Sequence, residues 1–343
     1  MVKREVLFVD GEGGAWPWHR QMPRRDGVWG KTHYNFSTSS SHVPDWLVVF
    51  SSWPEIPLFT AIPKHRRIFV AGEPASFHRY QPRFLDQFGT VITTQKGTRH
   101  PGAIHSQPGI NWFVGVLLQG SGSRLTPVLN FADFESGNPR KSKLCSVVCS
   151  TNATTRGHRQ RIEFVDLLKQ RFGDQIDFFG RGRRDIADKD DALAAYRFHI
   201  ALENSAHRDY WTEKLADPFL RGCYPIYSGC PNLEDYFPKN SFARIDLRYP
   251  REALAIVATA IESDRDQTFA IELAEAKRRV LFEHNIFALL EKLYIQLEQT
   301  SVREALPLGE SPQRLYSDHE TKDFKLSRRV RRWFHSRVGA SGH

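Results

Sequence analysis

The stretch from Phe198 to Asp246 constrains the fold more than any other part of this 343-residue chain. Phe198, Ile200 and Leu202 alternate with His199 and Ala201, the two-residue period of a half-buried strand. Polar residues from Glu203 to Asp209 end that run. Asp209 suits the N-cap of a helix carrying Thr212, Glu213 and Lys214 in its opening turns. Pro218 should kink or shorten this helix, Gly222 suits its exit, and Tyr224 to Tyr227 forms the next strand. Such a strand–loop–helix–strand unit puts a helix N-terminus at the carboxyl edge of a parallel sheet.

That position suits a phosphate group, because unpaired backbone N–H groups and the positive end of the helix dipole face it. Lys214 adds a full charge, Glu213 can accept hydrogen bonds from sugar hydroxyls, and Asn204 and Tyr210 offer polar tips from the loop. The same residues also suit a capped surface helix with an ordinary Glu–Lys pair, so pattern alone leaves both readings open.

The runs Leu202-Glu203-Asn204-Ser205, Asp209-Tyr210-Trp211-Thr212-Glu213-Lys214-Leu215, Pro225-Ile226-Tyr227-Ser228-Gly229 and Ser241-Phe242 decide between them. Together they resemble the donor-binding signature of the α-1,3/4-fucosyltransferases, glycosyltransferase family 10. The resemblance implies an α/β fold of the GT-B type, two Rossmann-like domains facing each other across a cleft. It also implies that the second domain binds GDP-fucose and the first binds an oligosaccharide or glycolipid acceptor. In the family an arginine at a helix start holds the donor's β-phosphate. Aligning Arg-x-x-Phe-x-x-Leu with Arg161, Phe164 and Leu167 selects Arg161, with Arg156 and Arg159 near enough to compete. The resemblance assigns Asn204, Tyr210, Glu213 and Lys214 to the donor as well. Asp246-Leu247 departs from the Asp-Asp-Phe or His-Asp-Phe usual at that point, which leaves another nucleotide sugar open.

Upstream, Val6 to Val9, Trp46 to Phe50, Ile68 to Ala71 and Val91 to Thr94 read as buried strands of a separate α/β unit. The third ends at Gly72-Glu73-Pro74, where α/β proteins place working residues. A carboxylate there can take a proton from a hydroxyl nucleophile, or simply cap a helix. The fucosyltransferases carry a Gly-Glu or Glu-Ser-Pro type motif at such a strand end, so the resemblance gives Glu73 the part of general base in an inverting displacement. Trp16 and Trp18, in a long loop, suit either sugar stacking or core cover. Phe131 to Lys143 reads as a linker, and a strand at Leu144 to Cys149 opens the second domain. The expected division is 1–140 for the acceptor domain, 141–300 for the donor domain and 301–343 for a terminal extension. Ala253 to Ile261 and Phe269 to Leu297 read as closing helices.

Apolar content of 40% with 12% aromatics is that of a globular chain, and no run is long and apolar enough to span a bilayer. Six of the residues behind the net charge of +9 lie between Lys325 and Arg337, with no acid among them. The basicity therefore belongs to a tail, which counts against a nucleic-acid groove. Leu326, Val330, Trp333 and Phe334 fall at helical spacing in that tail. Such a helix suits an anionic membrane surface, a solubilising end, or packing on its own domain. A cytoplasmic protein is expected, touching the inner face of a bacterial membrane through residues 325–343, with lipopolysaccharide or a related surface glycan as acceptor. Four cysteines lack metal-ligand spacing and read as buried thiols, and the sequons at Asn35 and Asn152 read as chance matches. Asp188-Lys189-Asp190 and Asp264-Arg265-Asp266 match an Asp-x-Asp metal motif but sit in charge-rich helical sequence. With Lys and Arg available to neutralise a diphosphate, no metal or other cofactor is expected. A non-catalytic glycan- or RNA-binding module is the competing class, disfavoured by the intact diphosphate motif.

Overall fold

The computed structural model describes residues 4–11, 16–37, 43–51, 58–119, 124–151, 156–300 and 312–321. These divide into two compact units. One holds the described residues up to 11, from 32 to 105 and from 312 to 321; the other holds 16–31 and those from 106 to 300. Asn152 and the basic tail lie outside the described residues.

In the first unit Thr32–Asn35, Arg4–Asp10, Trp46–Phe50, Arg67–Val70, Thr90–Thr93 and Ala103–His105 lie side by side in that order, all parallel. Leu47, Val48, Val49, Ile68, Phe69 and Val91 are fully buried. Continuous apolar runs are what a parallel sheet covered on both faces demands. Strand Arg67–Val70 delivers Gly72 and Glu73 to the carboxyl edge. Gln313–Leu315 pairs antiparallel with Leu58–Thr60, so the end of the described chain belongs to this unit. Asp318 fastens it by accepting from the Gln81 amide at 2.6 Å.

The second unit has a five-stranded parallel sheet in the order Ile176–Phe179, Lys143–Val148, Tyr196–Leu202, Tyr224–Ser228, Ala243–Arg244. From Lys143–Val148 the chain goes outward through helix Arg156–Phe172 to the strand on one side. From Tyr196–Leu202 it goes through helix Glu213–Leu220 to the other side. The order reverses between these two central strands, and a doubly wound sheet opens a crevice at such a point.

The boundary differs from the expected one. Residues 131–135 form a helix with an Asn130–Asp133 capping box, and Phe131 and Phe134 are fully buried. They share one apolar core with Trp112, Val114, Trp211 and Phe219, so this segment is not a linker. Arg20 binds 16–31 to the same unit: its guanidinium donates to the carbonyls of Trp112 (2.6 Å), Leu129 (2.8 Å) and Val114. Trp16 and Trp18 are 5% and 1% exposed and pack on Phe113 and Phe287, as core. The closing helices are Pro250–Ile261, Ala270–Phe282 and Ile286–Thr300. The last two part at Asn285, whose amide donates to the Gln21 carbonyl while its oxygen caps Phe287.

Candidate functional site

A cavity of about 260 Å³ opens at the reversal point of the second sheet. Val148, Cys149 and Ser150 bring it the end of one central strand, Leu202 and Asn204 the end of the other. His158 and Arg161 reach it from the first helix; Glu213, Lys214 and Asp217 reach it from the second. The first helix starts at Arg156 and can approach this closely because residue 157 is glycine: a Cβ there would collide with the Asn204 carbonyl oxygen.

Arg161 is 5% exposed, and its Nη1 donates to the Leu202 carbonyl at 3.3 Å. Its Nε is buried with no hydrogen-bond partner, and so is Asn204 Oδ1. A buried polar atom left unpaired costs about 1–3 kcal/mol, and both of these belong to residues that line the cavity. Arg159 is exposed and Arg161 lines the cavity, which separates these two members of the competing set. Lys214 Nζ lies 2.9 Å from Glu213 Oε1 and 4.0 Å from Glu203 Oε2. Burial alone would raise the Glu213 carboxyl, but Lys214 and Lys189 hold it well below the usual carboxylate range. His199 sits beneath the cavity with Nδ1 2.8 Å from Ser146 Oγ, and burial lowers it to about 3, so it is neutral. Burial and the charges of Arg161 and Lys214 lower His158 as well.

Two expectations need correction. Asp209 is not the N-cap: it sits at φ 64, and its carboxylate accepts from Asn232 Nδ2 (2.8 Å) and the Tyr236 hydroxyl (2.7 Å). Thr212 caps the helix. The amides at this helix start are also not all open to a phosphate. Glu203 accepts from the Thr212 amide (2.7 Å) and hydroxyl (2.8 Å), while Thr212 Oγ1 accepts from the Lys214 amide (3.3 Å). A protein carboxylate thus occupies part of the helix N-terminus. Tyr210 is 4% exposed and does not line the cavity.

Lys189, Asp217 and His199 belong to the lining and were not singled out from the sequence. Lys189 lies within the first Asp-x-Asp run. Asp188 accepts from the Gly115 amide, and Asp190 pairs with Arg221. Asp264 and Asp266 of the second run both pair with Arg197. Asp217 was detectable as the residue four positions after Glu213, on the same helix face. In the first unit, Glu73 is half-buried at its strand end, and its carbonyl accepts from Gln95 Nε2 at 2.8 Å. Burial and the charges of Glu73 and Asp318 push the Tyr80 hydroxyl up.

Residues 138–268, which carry every cavity-lining residue, match the family described as glycosyltransferase family 10 (fucosyltransferase), C-terminal part. Among curated proteins the chain is 37% identical over 87 residues to GDP-fucose protein O-fucosyltransferase 3 of Xenopus laevis, a span covering 25% of this chain and 18% of that protein. It is 35% identical over 82 residues to the Gallus gallus protein of the same name, covering 23% and 17%. The chain therefore spans less than a fifth of the length of these relatives. Among solved structures, an α1,3-fucosyltransferase crystallised with GDP-fucose aligns over 88% of this chain and 92% of its own, at 15% identity and a TM-score of 0.46. What the comparisons give is thus a match of residues 138–268, rather than of the whole chain, to the C-terminal part of glycosyltransferase family 10.

Proposed function

We propose that this chain transfers fucose from GDP-fucose to a hydroxyl group of a glycan acceptor in one inverting displacement. The observation that carries the reading is Arg161, with its buried, unpartnered Nε, in the lining of one cavity with Lys214 and Asn204. A planar, permanently charged guanidinium with a spare N–H suits a diphosphate oxygen. Charge builds on the departing diphosphate in the transition state, so fixed cations there act on rate as well as binding. In this reading Arg161 and Lys214 stabilise the leaving GDP, Glu213 accepts from the ribose hydroxyls, and Asn204 orients the sugar-diphosphate junction. Tyr210, in the loop between Asn204 and the helix, is outside the cavity lining, and a part for it in shaping the donor site rests on the motif alone. Glu73 removes the proton of the attacking hydroxyl.

The relatives named as protein O-fucosyltransferases favour a second reading of the acceptor alone, a side-chain hydroxyl of a protein. A surface glycan such as lipopolysaccharide remains the first reading, with residues 325–343 holding the enzyme at the membrane that carries it. Release of free nucleotide from GDP-fucose, GDP-mannose and UDP sugars tests the donor, with GDP-fucose expected to turn over fastest. Glu73→Gln should abolish transfer while leaving GDP affinity nearly unchanged; a variant that kept its turnover would remove Glu73 from the mechanism.

A further inference from the structure

We propose that Lys189, clamped by the buried Asp217, positions the Glu213 carboxylate for the nucleotide's ribose hydroxyls. The inference rests on the donor reading above and extends it to a residue outside the Thr212-Glu213-Lys214 run. Lys189 Nζ lies 3.0 Å from Asp217 Oδ2 and 3.4 Å from Glu213 Oε1, and all three residues line the cavity. Asp217 is 1% exposed, and its other oxygen accepts from the Phe113 amide at 3.2 Å. The ammonium group also sits 5.2 Å from the centre of the Phe113 ring. Lys189 is therefore held by Asp217 and the Phe113 ring, and its third contact is Glu213.

Glu213 in turn has a lysine on either hand, Lys189 and Lys214, both reaching Oε1. One oxygen of the carboxylate is thus engaged by two cations. Those contacts hold Oε1 in place, and neither lysine takes up Oε2. A carboxylate is acceptor-only when ionised, and one held this way recognises hydroxyl donors rather than phosphate oxygens. The charges agree: Lys189 and Lys214 hold Glu213 ionised in spite of burial. Lys189 itself stays charged, since Asp217 and Glu213 outweigh its own burial. With two carboxylates already around it, Lys189 has less to offer a diphosphate than Arg161 has.

The test is calorimetric titration of the full chain with GDP and with 2′,3′-dideoxy-GDP. Wild type should prefer GDP by about tenfold, the worth of a hydrogen bond to a charged group. Lys189→Met should lose most of that preference while keeping its affinity for the dideoxy nucleotide, and Lys189→Arg should restore it. If Lys189→Met weakens both nucleotides equally, the lysine touches phosphate directly and the positioning role is overturned. A Lys189→Met variant with the full preference overturns it too. Should that variant fail to fold, Lys189→Met/Asp217→Asn removes the buried charge along with its partner, and the same comparison applies. Wild type that binds no GDP would sink the donor reading itself, a different result from any of these.

Discussion

At the scale of single residues, the cations of the cavity differ in how far protein carboxylates already pair them. Lys214 and Lys189 each sit against a carboxylate, whereas Arg161 has no carboxylate partner among the described residues and an unused Nε–H. Arg161→Lys keeps the charge and loses the planar fork, so GDP affinity should fall about tenfold. Arg159→Lys, an exposed neighbour, should change it little; equal effects in the same titration would show that charge alone matters. Glu203 gives a second prediction. Burial, offset in part by Lys214, raises its carboxyl to about 7, and burial likewise raises Asp217 to about 6. A raised folded-state pKa means that the native state holds the proton more tightly than the unfolded chain does. The stability this supplies is complete below the ordinary carboxyl range and is lost as pH rises through 6 and then 7. The buried His199, lowered to about 3, works in the opposite sense up to the ordinary histidine range, so the effect of Glu203 is read by difference: between pH 5 and 7.5 the wild-type urea midpoint should fall relative to that of Glu203→Gln. A variant with the wild-type slope would mean that Glu203 titrates normally.

At the scale of elements, the helix Glu213–Leu220 depends on the hydroxyl of Thr212, which caps Lys214 and also donates to Glu203. Thr212→Ala should cost about 1–2 kcal/mol, at the upper end for a cap because a buried carboxylate loses a donor as well. Thr212→Ser should recover most of it in the same urea melts. The alternation at 198–202 and the polar break after it were legible because strand period and helix start are local signals. The cap differs from the expected one for a reason that lies elsewhere in the chain. Asp209 is as good a cap by type as Thr212, but Asn232 and Tyr236 draw its carboxylate away. Lys189 was hidden in the same sense, because an Asp-Lys-Asp run gives no hint that its middle residue reaches Asp217 and Glu213. Arg161, Asn204, Glu213 and Lys214 were found through a motif, and the structure brings all four to one cavity. Tyr210 came with the same motif and lies outside it.

At the scale of the whole molecule, residues 131–143 look like a linker because Ser, Gly, Asn and Pro follow one another there. Phe131 and Phe134 contradict that composition, since each is fully buried against the second unit's core. Cutting the chain at 141 would strip Ile110, Trp112, Val114, Phe131 and Phe134 from that core and expose Trp211 and Phe219 to water. Losing one large buried aromatic costs about 3–5 kcal/mol, which by itself approaches the stability of an ordinary domain. A fragment of residues 141–300 should therefore show no cooperative urea transition and should aggregate. A fragment of 106–300 regains these side chains but leaves the carbonyls of Trp112, Val114 and Leu129 without Arg20. It should fold less stably than 15–300, in which the guanidinium is restored. Cooperative unfolding of 141–300 alone would show that the second unit's sheet does not need the segment before it, and the boundary would return to the one its composition suggests.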